Sequence, residues 1–267
     1  MGDIWLQWYS AAEVSDCIIY SCGTWIVYFL FYYLHSWVFI CADWYGFLDK
    51  YAIRAGNRYL PPLVQQYEAI REASIDTFII KPILLFSTFP LLGGPFLSFN
   101  TALPSVTEAI WQILLMLTIF ATSLFWIHLA LHKVTWLYKN VHKKHHEFHE
   151  TVGFAAQFHH PIEALASTLH VVLGVVLVRP HVVVYLIVLC FTLIEIVDSH
   201  CGYDVPWKVI YVWSDVYPWG SGARAHDFHH SHNIGVYGGG LLGLWDEFMQ
   251  TNQAFKNCEK KRIGGRK

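Results

Sequence analysis

Residues 125–149 read FWIHLALHKVTWLYKNVHKKHHEFH, and this stretch decides the fold that we predict for the rest of the chain. An apolar run ends here in His128 and His132, which are spaced i, i+4. His142, His145 and His146 follow with the spacing i, i+3, i+4. On an α-helix, both spacings place side chains on one face. The stretch therefore predicts clustered imidazoles at the end of an apolar helix.

A second triplet with the same spacing lies near the C-terminus, in AHDFHHSH. It consists of His226, His229 and His230. Neutral imidazole nitrogen is the commonest protein ligand for transition metals, so histidines clustered in this way indicate a metal site. One such cluster alone is also compatible with an ordinary amphipathic helix face. All three clusters together, at the ends of apolar segments, favour metal binding.

The composition indicates a membrane protein. Of the 267 residues, 55% are hydrophobic and 14% are charged, whereas a soluble domain carries about a quarter charged residues. The six cysteines show no CxxC spacing, which argues against a disulfide framework or a thiolate metal site. No long basic block precedes the tail, so we expect no nucleic-acid partner.

Several apolar segments predict membrane spans, since a spanning helix needs about 20 apolar residues. They lie near 17–42, 78–98, 107–131, 163–178 and 181–197. The last two are short, and the pattern leaves open whether they cross the membrane or form a hairpin that only enters it.

All but two of the 18 Lys and Arg residues lie in the intervening segments 43–75 and 132–161 or after residue 197. With the N-terminus outside, these three basic segments lie in the cytosol together with every histidine cluster. The predicted fold is an all-α, polytopic membrane helical bundle with a cytosolic, histidine-rich metal-binding cap.

The candidate ligands outnumber those that one metal needs. The pair and the two triplets supply eight imidazoles, whereas one ion takes about four to six ligands, so we predict two ions. His160 and His200, which lie where apolar segments begin and end, are further candidates. Asp198 and Asp227 are candidates for accepting the second ring N–H of a ligand histidine and so fixing its tautomer.

The sequence resembles the fatty acid hydroxylase/sterol desaturase superfamily of membrane di-iron, histidine-box enzymes. The matching segments, in family order, are HLALHKVTWLYKNVHKKHH, AAQFHHPIEAL, DSHCGYDVPW, GARAHDFHHSHNIGVYG and LWDEF. They are most similar to those of C4-methylsterol oxidases, and next to those of cholesterol 25-hydroxylases. Residues 1–100 match only as a hydrophobic pattern. We therefore expect an N-terminal transmembrane region at 1–100 and a catalytic domain at 101–267.

The resemblance implies a mixed-function oxidase that uses two iron ions and O2 to oxidise the C4-methyl group of a sterol precursor from the bilayer. It implies electrons from NAD(P)H through cytochrome b5 and its reductase, and a place in the endoplasmic reticulum membrane. The ligand set carried over from the family is His128, His132, His142, His145, His146, His200, His226, His229 and His230. His160 fits the methylsterol oxidase pattern, which contains a His-Pro-x-Glu element.

Other functions remain open on the sequence alone. The same metal centre could hydroxylate a sterol side chain, a fatty acid or a sphingolipid acyl chain. A different class is a membrane metal transporter or sensor. Transporters place ionisable ligands inside the membrane, whereas these histidines cluster at the rim, so the sequence favours an enzyme.

Overall fold

The computed structural model describes residues 3–54, 60–205, 222–238 and 243–264. Within these ranges the chain is helical and contains no β-strand, which confirms the predicted all-α class. Among the described residues, extended backbone pairs only in two isolated bridges, Ala52 with Tyr203 and Ser98 with His181.

The helices of the N-terminal part are connected by short turns. In chain order they are α1 (Ile4–Ala12), α2 (Asp16–Tyr28), a π-helical segment (Phe29–Leu34), α3 (His35–Tyr45), a 3₁₀ turn (Asp49–Tyr51), α4 (Leu63–Ile75), a second π-helical segment (Asp76–Ile80), α5 (Lys81–Thr88) and α6 (Gly93–Phe96).

The C-terminal part contains the longest single α-helix and most of the histidines. Its elements are α7 (Val106–Lys133), α8 (Thr135–Asn140), two 3₁₀ helices (His142–Glu147 and Gly153–Gln157), α9 (Pro161–Val178), α10 (Val182–His200), α11 (Gly222–His232), α12 (Leu244–Phe248) and α13 (Gln253–Gly264).

Four helices in the described part of the chain are long and apolar enough to cross a bilayer: the continuous helix Asp16–Tyr45, α7, α9 and α10. With 18 and 19 residues, α9 and α10 are each ~27–28 Å long at ~1.5 Å per residue, close to the ~30 Å hydrocarbon core. Both helices of the predicted 163–197 hairpin therefore have spanning length.

The span that we predicted at 78–98 is not among these four helices. The helical stretch that overlaps its first half begins at Leu63 and ends at Thr88, and a turn then leads into α6. Its first part carries charged residues, including Arg71 and Asp76, so no window of membrane length within it is sufficiently apolar. The average hydrophobicity over 78–98 does not register the helix end at Thr88, and the charges lie before the predicted span.

The reversal between α9 and α10 is set by local backbone chemistry. Pro161 begins α9 as its first residue, where its missing N–H leaves no hydrogen bond unmade. The helix ends at Arg179, which adopts a left-handed conformation with φ of 51°. The side chain of His181 then accepts a hydrogen bond from Val183 N at 3.2 Å and begins α10. Only three residues therefore separate the two helices.

α10 is the central helix of the bundle and α9 lies at its periphery. The protein buries 61% of the α10 window but only 22% of the α9 window. α10 packs against α2, where Tyr185 and Thr24 share a hydrogen bond of 3.2 Å. Gly23 allows this close approach, since a Cβ there would lie 3.3 Å from a methyl carbon of Leu186. The outer face of α9 is apolar and exposed, as a lipid-facing helix requires.

The bundle has two chemically different ends. At one end, Trp5 Nε1 donates to the carbonyl of Phe99 at 2.6 Å. At the other end, Tyr203 OH donates to Asp43 at 2.8 Å, and α7 and α10 terminate in histidines. We call this second end the histidine end. Its location on the cytosolic side stays a prediction.

Candidate metal centre

Nine of the ten predicted ligand histidines converge at the histidine end. They come from the last two turns of α7, the last turn of α10, the first of the two 3₁₀ helices, and α11. The nine residues are His128, His132, His142, His145, His146, His200, His226, His229 and His230. All are buried except the half-buried His132. Segments that lie far apart in sequence therefore build one enclosed cluster of imidazoles.

The nine imidazoles form two groups, and within each group the ring nitrogens lie within 4.8 Å of one another. The five-histidine group consists of His128, His132, His142, His146 and His229. The four-histidine group consists of His145, His200, His226 and His230. The two groups are adjacent, since the ring centroids of His146 and His230 lie 4.7 Å apart.

Each triplet supplies both groups. His142 and His146, spaced i, i+4, enter the five-histidine group, while His145 between them enters the four-histidine group. The second triplet does the reverse, with only its middle member, His229, in the five-histidine group. The first triplet lies on a 3₁₀ helix rather than the α-helix that its spacing suggested. Neighbouring residues on either kind of helix diverge by about 100–120°, so adjacent histidines point to different groups.

The spacing between ring nitrogens fits one transition metal ion in each group. In the five-histidine group, Nε2 of His142 lies 2.9 Å from that of His132 and 3.1 Å from that of His128. In the four-histidine group, Nε2 of His226 lies 2.9 Å from that of His200. Two nitrogens ~2.1 Å from a common ion and at right angles to each other are ~3.0 Å apart.

A buried nitrogen without a partner supports the same interpretation. His229 Nε2 has no hydrogen-bond partner among the described residues, although its ring is fully buried. A buried ring nitrogen normally binds something, because an unsatisfied polar atom is unfavourable inside a protein. The donor set, entirely imidazole, suits iron, zinc, copper or nickel.

Backbone carbonyls orient four of the ligand rings through the ring nitrogen that faces away from the histidine group. Each ring donates its Nδ1–H to a carbonyl oxygen and so directs the Nε2 lone pair into its group. The pairs are His128 with Tyr237 (2.8 Å), His229 with Gly235 (2.7 Å), His230 with Phe148 (2.9 Å) and His200 with Ile196 (2.8 Å).

A fifth ring is oriented by a carboxylate that was not among the predicted site residues. Glu163, in the first turn of α9, accepts a hydrogen bond from His142 Nδ1 at 2.8 Å. Both side chains are buried. The signal was present in the sequence, because Glu163 is the acidic residue of the His-Pro-x-Glu element at 160–163. Glu163 therefore places an acceptor oxygen beside a ligand of the five-histidine group.

Burial keeps the extramembrane ligand rings neutral. It lowers the pKa of His146 to about 3, and repulsion from His128 and His200 adds to the effect. Burial is also the largest cause that lowers the pKa of His142, His145, His226, His229 and His230. Since a metal binds the neutral form of imidazole, these rings are in the state that a ligand requires.

His160, the tenth candidate, lies outside both groups. Its Nδ1 instead accepts a hydrogen bond from Ile162 N at 3.2 Å and caps the start of α9. The histidine of the His-Pro-x-Glu element thus starts the helix that carries Glu163.

The two carboxylates that we expected to orient ligand histidines have other partners. Asp198 binds His35 Nε2 at 2.8 Å, and His35 belongs to neither group. Asp227 accepts two hydrogen bonds from Arg54, both at 3.1 Å. An orienting role of Asp198 and Asp227 thus stays a prediction, whereas Glu163 contacts the ligand His142 directly.

The fold and the site together define a membrane helical bundle with a histidine-rich centre that can hold two metal ions. The sequence model described as "Fatty acid hydroxylase" matches residues 113–251, more than half of the chain. The chain therefore belongs to the fatty acid hydroxylase family and is an oxidoreductase.

Curated relatives agree with this assignment. "Methylsterol monooxygenase 2-2" of Arabidopsis thaliana is 30% identical over 222 residues, which cover 83% of this chain and 80% of the relative. "C-4 methylsterol oxidase erg25" of Schizosaccharomyces pombe is 26% identical and covers 98% of this chain and 86% of its own length. "Very-long-chain aldehyde decarbonylase GL1-8" of Oryza sativa subsp. indica is 28% identical, with coverages of 83% and 80%. No solved structure matches.

Proposed function

We propose that the chain is an O2-dependent monooxygenase that oxidises the C4-methyl group of a sterol precursor. The observation that carries this proposal is the convergence of nine imidazoles into two adjacent groups at one end of an apolar helical bundle. The names of the relatives from Arabidopsis thaliana and Schizosaccharomyces pombe support methylsterols as the substrate class. In this proposal residues 1–100 provide membrane helices and residues 101–267 form the catalytic region.

Two iron ions are the proposed cofactor, one in each histidine group. Cleavage of an unactivated C–H bond lies beyond the chemistry of protein side chains, and bound iron with O2 supplies it. The chain contributes neutral imidazoles with fixed orientations. Glu163 and the backbone carbonyls keep a proton on the outward nitrogen of five rings, so that the inward nitrogen is free to bind.

The apolar bundle serves the substrate and protects the site. Because α7 and α10 end at the histidine groups, a lipid in the bilayer can approach the site without passing through water. The enclosed position of the imidazoles excludes bulk water, which limits side reactions of an oxidising centre.

Electron delivery is proposed to come from NAD(P)H through cytochrome b5 and its reductase, with the protein in the endoplasmic reticulum membrane and the histidine end in the cytosol. Exposed Lys133 and Lys143 lie on segments that carry ligands, and exposed Lys139 lies on α8 between them. Such a basic rim complements an acidic electron-transfer partner.

Expression in cells that lack their own C4-methylsterol oxidase tests this function. We expect the wild-type chain to remove the accumulated 4-methyl sterols, and the variants His145→Ala and His229→Ala to insert normally but leave them in place. His149→Ala is the matched control, because His149 is exposed and lies outside both groups. Persistence of 4-methyl sterols with wild-type protein at normal levels would refute the proposal.

A second candidate is hydroxylation of an acyl chain or a sterol side chain on the same centre. The relative named as a very-long-chain aldehyde decarbonylase favours it, because its name refers to a long-chain substrate. Loss of hydroxylated acyl chains or sterols after deletion of the gene, with 4-methyl sterols unchanged, would select this alternative. Stoichiometric zinc without oxygen consumption would instead indicate the metal transporter or sensor.

A further inference from the structure

A short turn at residues 233–238, which we call the orienting turn, supplies the carbonyls behind two ligands. The Gly235 carbonyl accepts from His229 Nδ1 at 2.7 Å, and the Tyr237 carbonyl accepts from His128 Nδ1 at 2.8 Å. His229 and His128 come from α11 and α7 and both belong to the five-histidine group. The orientation of two of its five ligands therefore depends on this turn.

The orienting turn has a backbone conformation that needs outside support. Asn233, Gly235 and Val236 have positive φ angles of 54°, 63° and 51°. A β-branched residue such as Val236 rarely adopts this conformation and does so only where its surroundings impose it. A Cβ at Gly235 would lie 1.9 Å from the carbonyl oxygen of Thr251, so only glycine fits there. The carbonyls are thus directed by contacts outside the turn.

Asp246 makes the largest number of these contacts. Its Oδ1 accepts from Tyr237 N at 2.9 Å, and its Oδ2 accepts from Gly238 N at 3.0 Å. The Thr251 hydroxyl also donates to Oδ1, while the Thr251 carbonyl accepts from Val236 N at 2.9 Å. Asp246 is completely buried. Its carboxylate therefore fixes the peptide units on both sides of Tyr237, including the carbonyl that orients His128.

We propose that Asp246 is a positioning residue that maintains metal affinity in the five-histidine group and not in the four-histidine group. The inference rests on the proposed function only in that the two groups bind metal. The selectivity follows from the contacts, because the carbonyls behind the four-histidine group belong to Ile196 and Phe148, which lie outside the orienting turn.

A carboxylate is needed at this position because three donors converge on it. Asparagine has nearly the same shape but offers one acceptor oxygen and a donor NH2 group. In Asp246→Asn, the amide of Tyr237 or that of Gly238 faces another donor, and the Tyr237 carbonyl moves away from His128. A change in the groups that orient a ligand histidine typically lowers metal affinity by about 10–100-fold.

The test measures metal retention in full-length protein reconstituted with iron and challenged with a graded chelator. We expect wild type to retain two ions per chain, and Asp246→Asn to lose one of them at a chelator concentration about 10–100-fold lower. Glu247→Gln is the matched control, because Glu247 is the next residue and its side chain binds Asn252 and Lys256 rather than the orienting turn. The control should retain both ions like wild type.

Double variants show which group has lost its ion. Adding His226→Ala, in the four-histidine group, to Asp246→Asn should remove the remaining ion. Adding His132→Ala, in the five-histidine group, should leave the number of retained ions at one per chain. Equal weakening of both ions in Asp246→Asn, or retention of both as in wild type, would overturn the proposal. A wild-type protein that binds no metal would refute the proposed function instead.

A milder variant covers the case in which Asp246→Asn does not fold. Thr251→Val removes the hydroxyl that donates to Asp246 but keeps the backbone contacts of Thr251 with Val236. We expect the same selective loss with a smaller change in chelator concentration. A lower melting temperature of the metal-free protein, with unchanged retention of both ions, would show that the contacts of Asp246 with the orienting turn only stabilise the fold. This result would reject the positioning role.

Discussion

The contact between Glu163 and His142 permits a prediction whose size follows from the structure. His142 is 1% exposed, and its Nδ1–H donates to Glu163 at 2.8 Å. Glu163→Leu keeps the side chain's bulk but leaves this N–H buried without an acceptor, which is unfavourable by about 1–3 kcal/mol. The ring then no longer has a preferred tautomer. We expect a roughly 5–150-fold weaker affinity for the ion of the five-histidine group, in line with the effect of other residues that orient ligands.

Glu163→Gln keeps an acceptor oxygen for His142 but cannot ionise. At most the difference between a charge-assisted and a neutral hydrogen bond is then lost, about 1 kcal/mol or roughly fivefold in affinity. Competition with a calibrated chelator measures both variants in full-length protein. Glu147→Gln is the control, since Glu147 is exposed and follows His146 directly. Wild-type affinity in Glu163→Leu, or an equal loss in both variants, would refute the reasoning.

Two further predictions concern the division of the ligands and the support of α11. His145→Ala should weaken binding of the ion in the four-histidine group, and His146→Ala should weaken binding of the ion in the five-histidine group, although the two residues are adjacent. If the ion that remains gives the same Mössbauer spectrum in both variants, the assignment is contradicted. Arg54→Gln should destabilise the protein by about 1–2 kcal/mol, because buried Asp227 loses a charged partner that is itself only partly exposed. Thermal unfolding measures this loss, with exposed Arg71→Gln as the control, and an unchanged melting temperature would count against it.

The sequence was sufficient to predict the membrane bundle and most of the candidate site, because both depend on short-range patterns. Apolar runs predict the positions of the four long helices, although the runs at 163–178 and 181–197 left open whether those two cross the membrane. The repeated histidine spacing on helical segments predicts that these imidazoles cluster, although not how each triplet divides between the two groups. These features require no knowledge of which segments meet in space.

The sequence could not predict the contacts that depend on how separate segments pack. Glu163 and Asp198 are both acidic residues near a candidate ligand in sequence, yet only Glu163 faces one. The assignment of His145 and His146 to different groups depends on the position of α10 and α11 relative to the 3₁₀ helix. The error at 78–98 has a simpler cause, since average hydrophobicity does not register the helix end at Thr88.

We propose that the nine imidazoles hold two iron ions that carry out O2-dependent oxidation of a lipid. The most direct test is to load the full-length, metal-free protein with ⁵⁷Fe in lipid nanodiscs, and to record the iron content and the Mössbauer spectrum before and after exposure to reductant, O2 and a 4-methyl sterol. We predict two irons per chain in distinct environments, both oxidised in step with formation of the C4-oxidised sterol. One iron or none per chain, or two irons that remain unchanged while the sterol is not consumed, would contradict the claim.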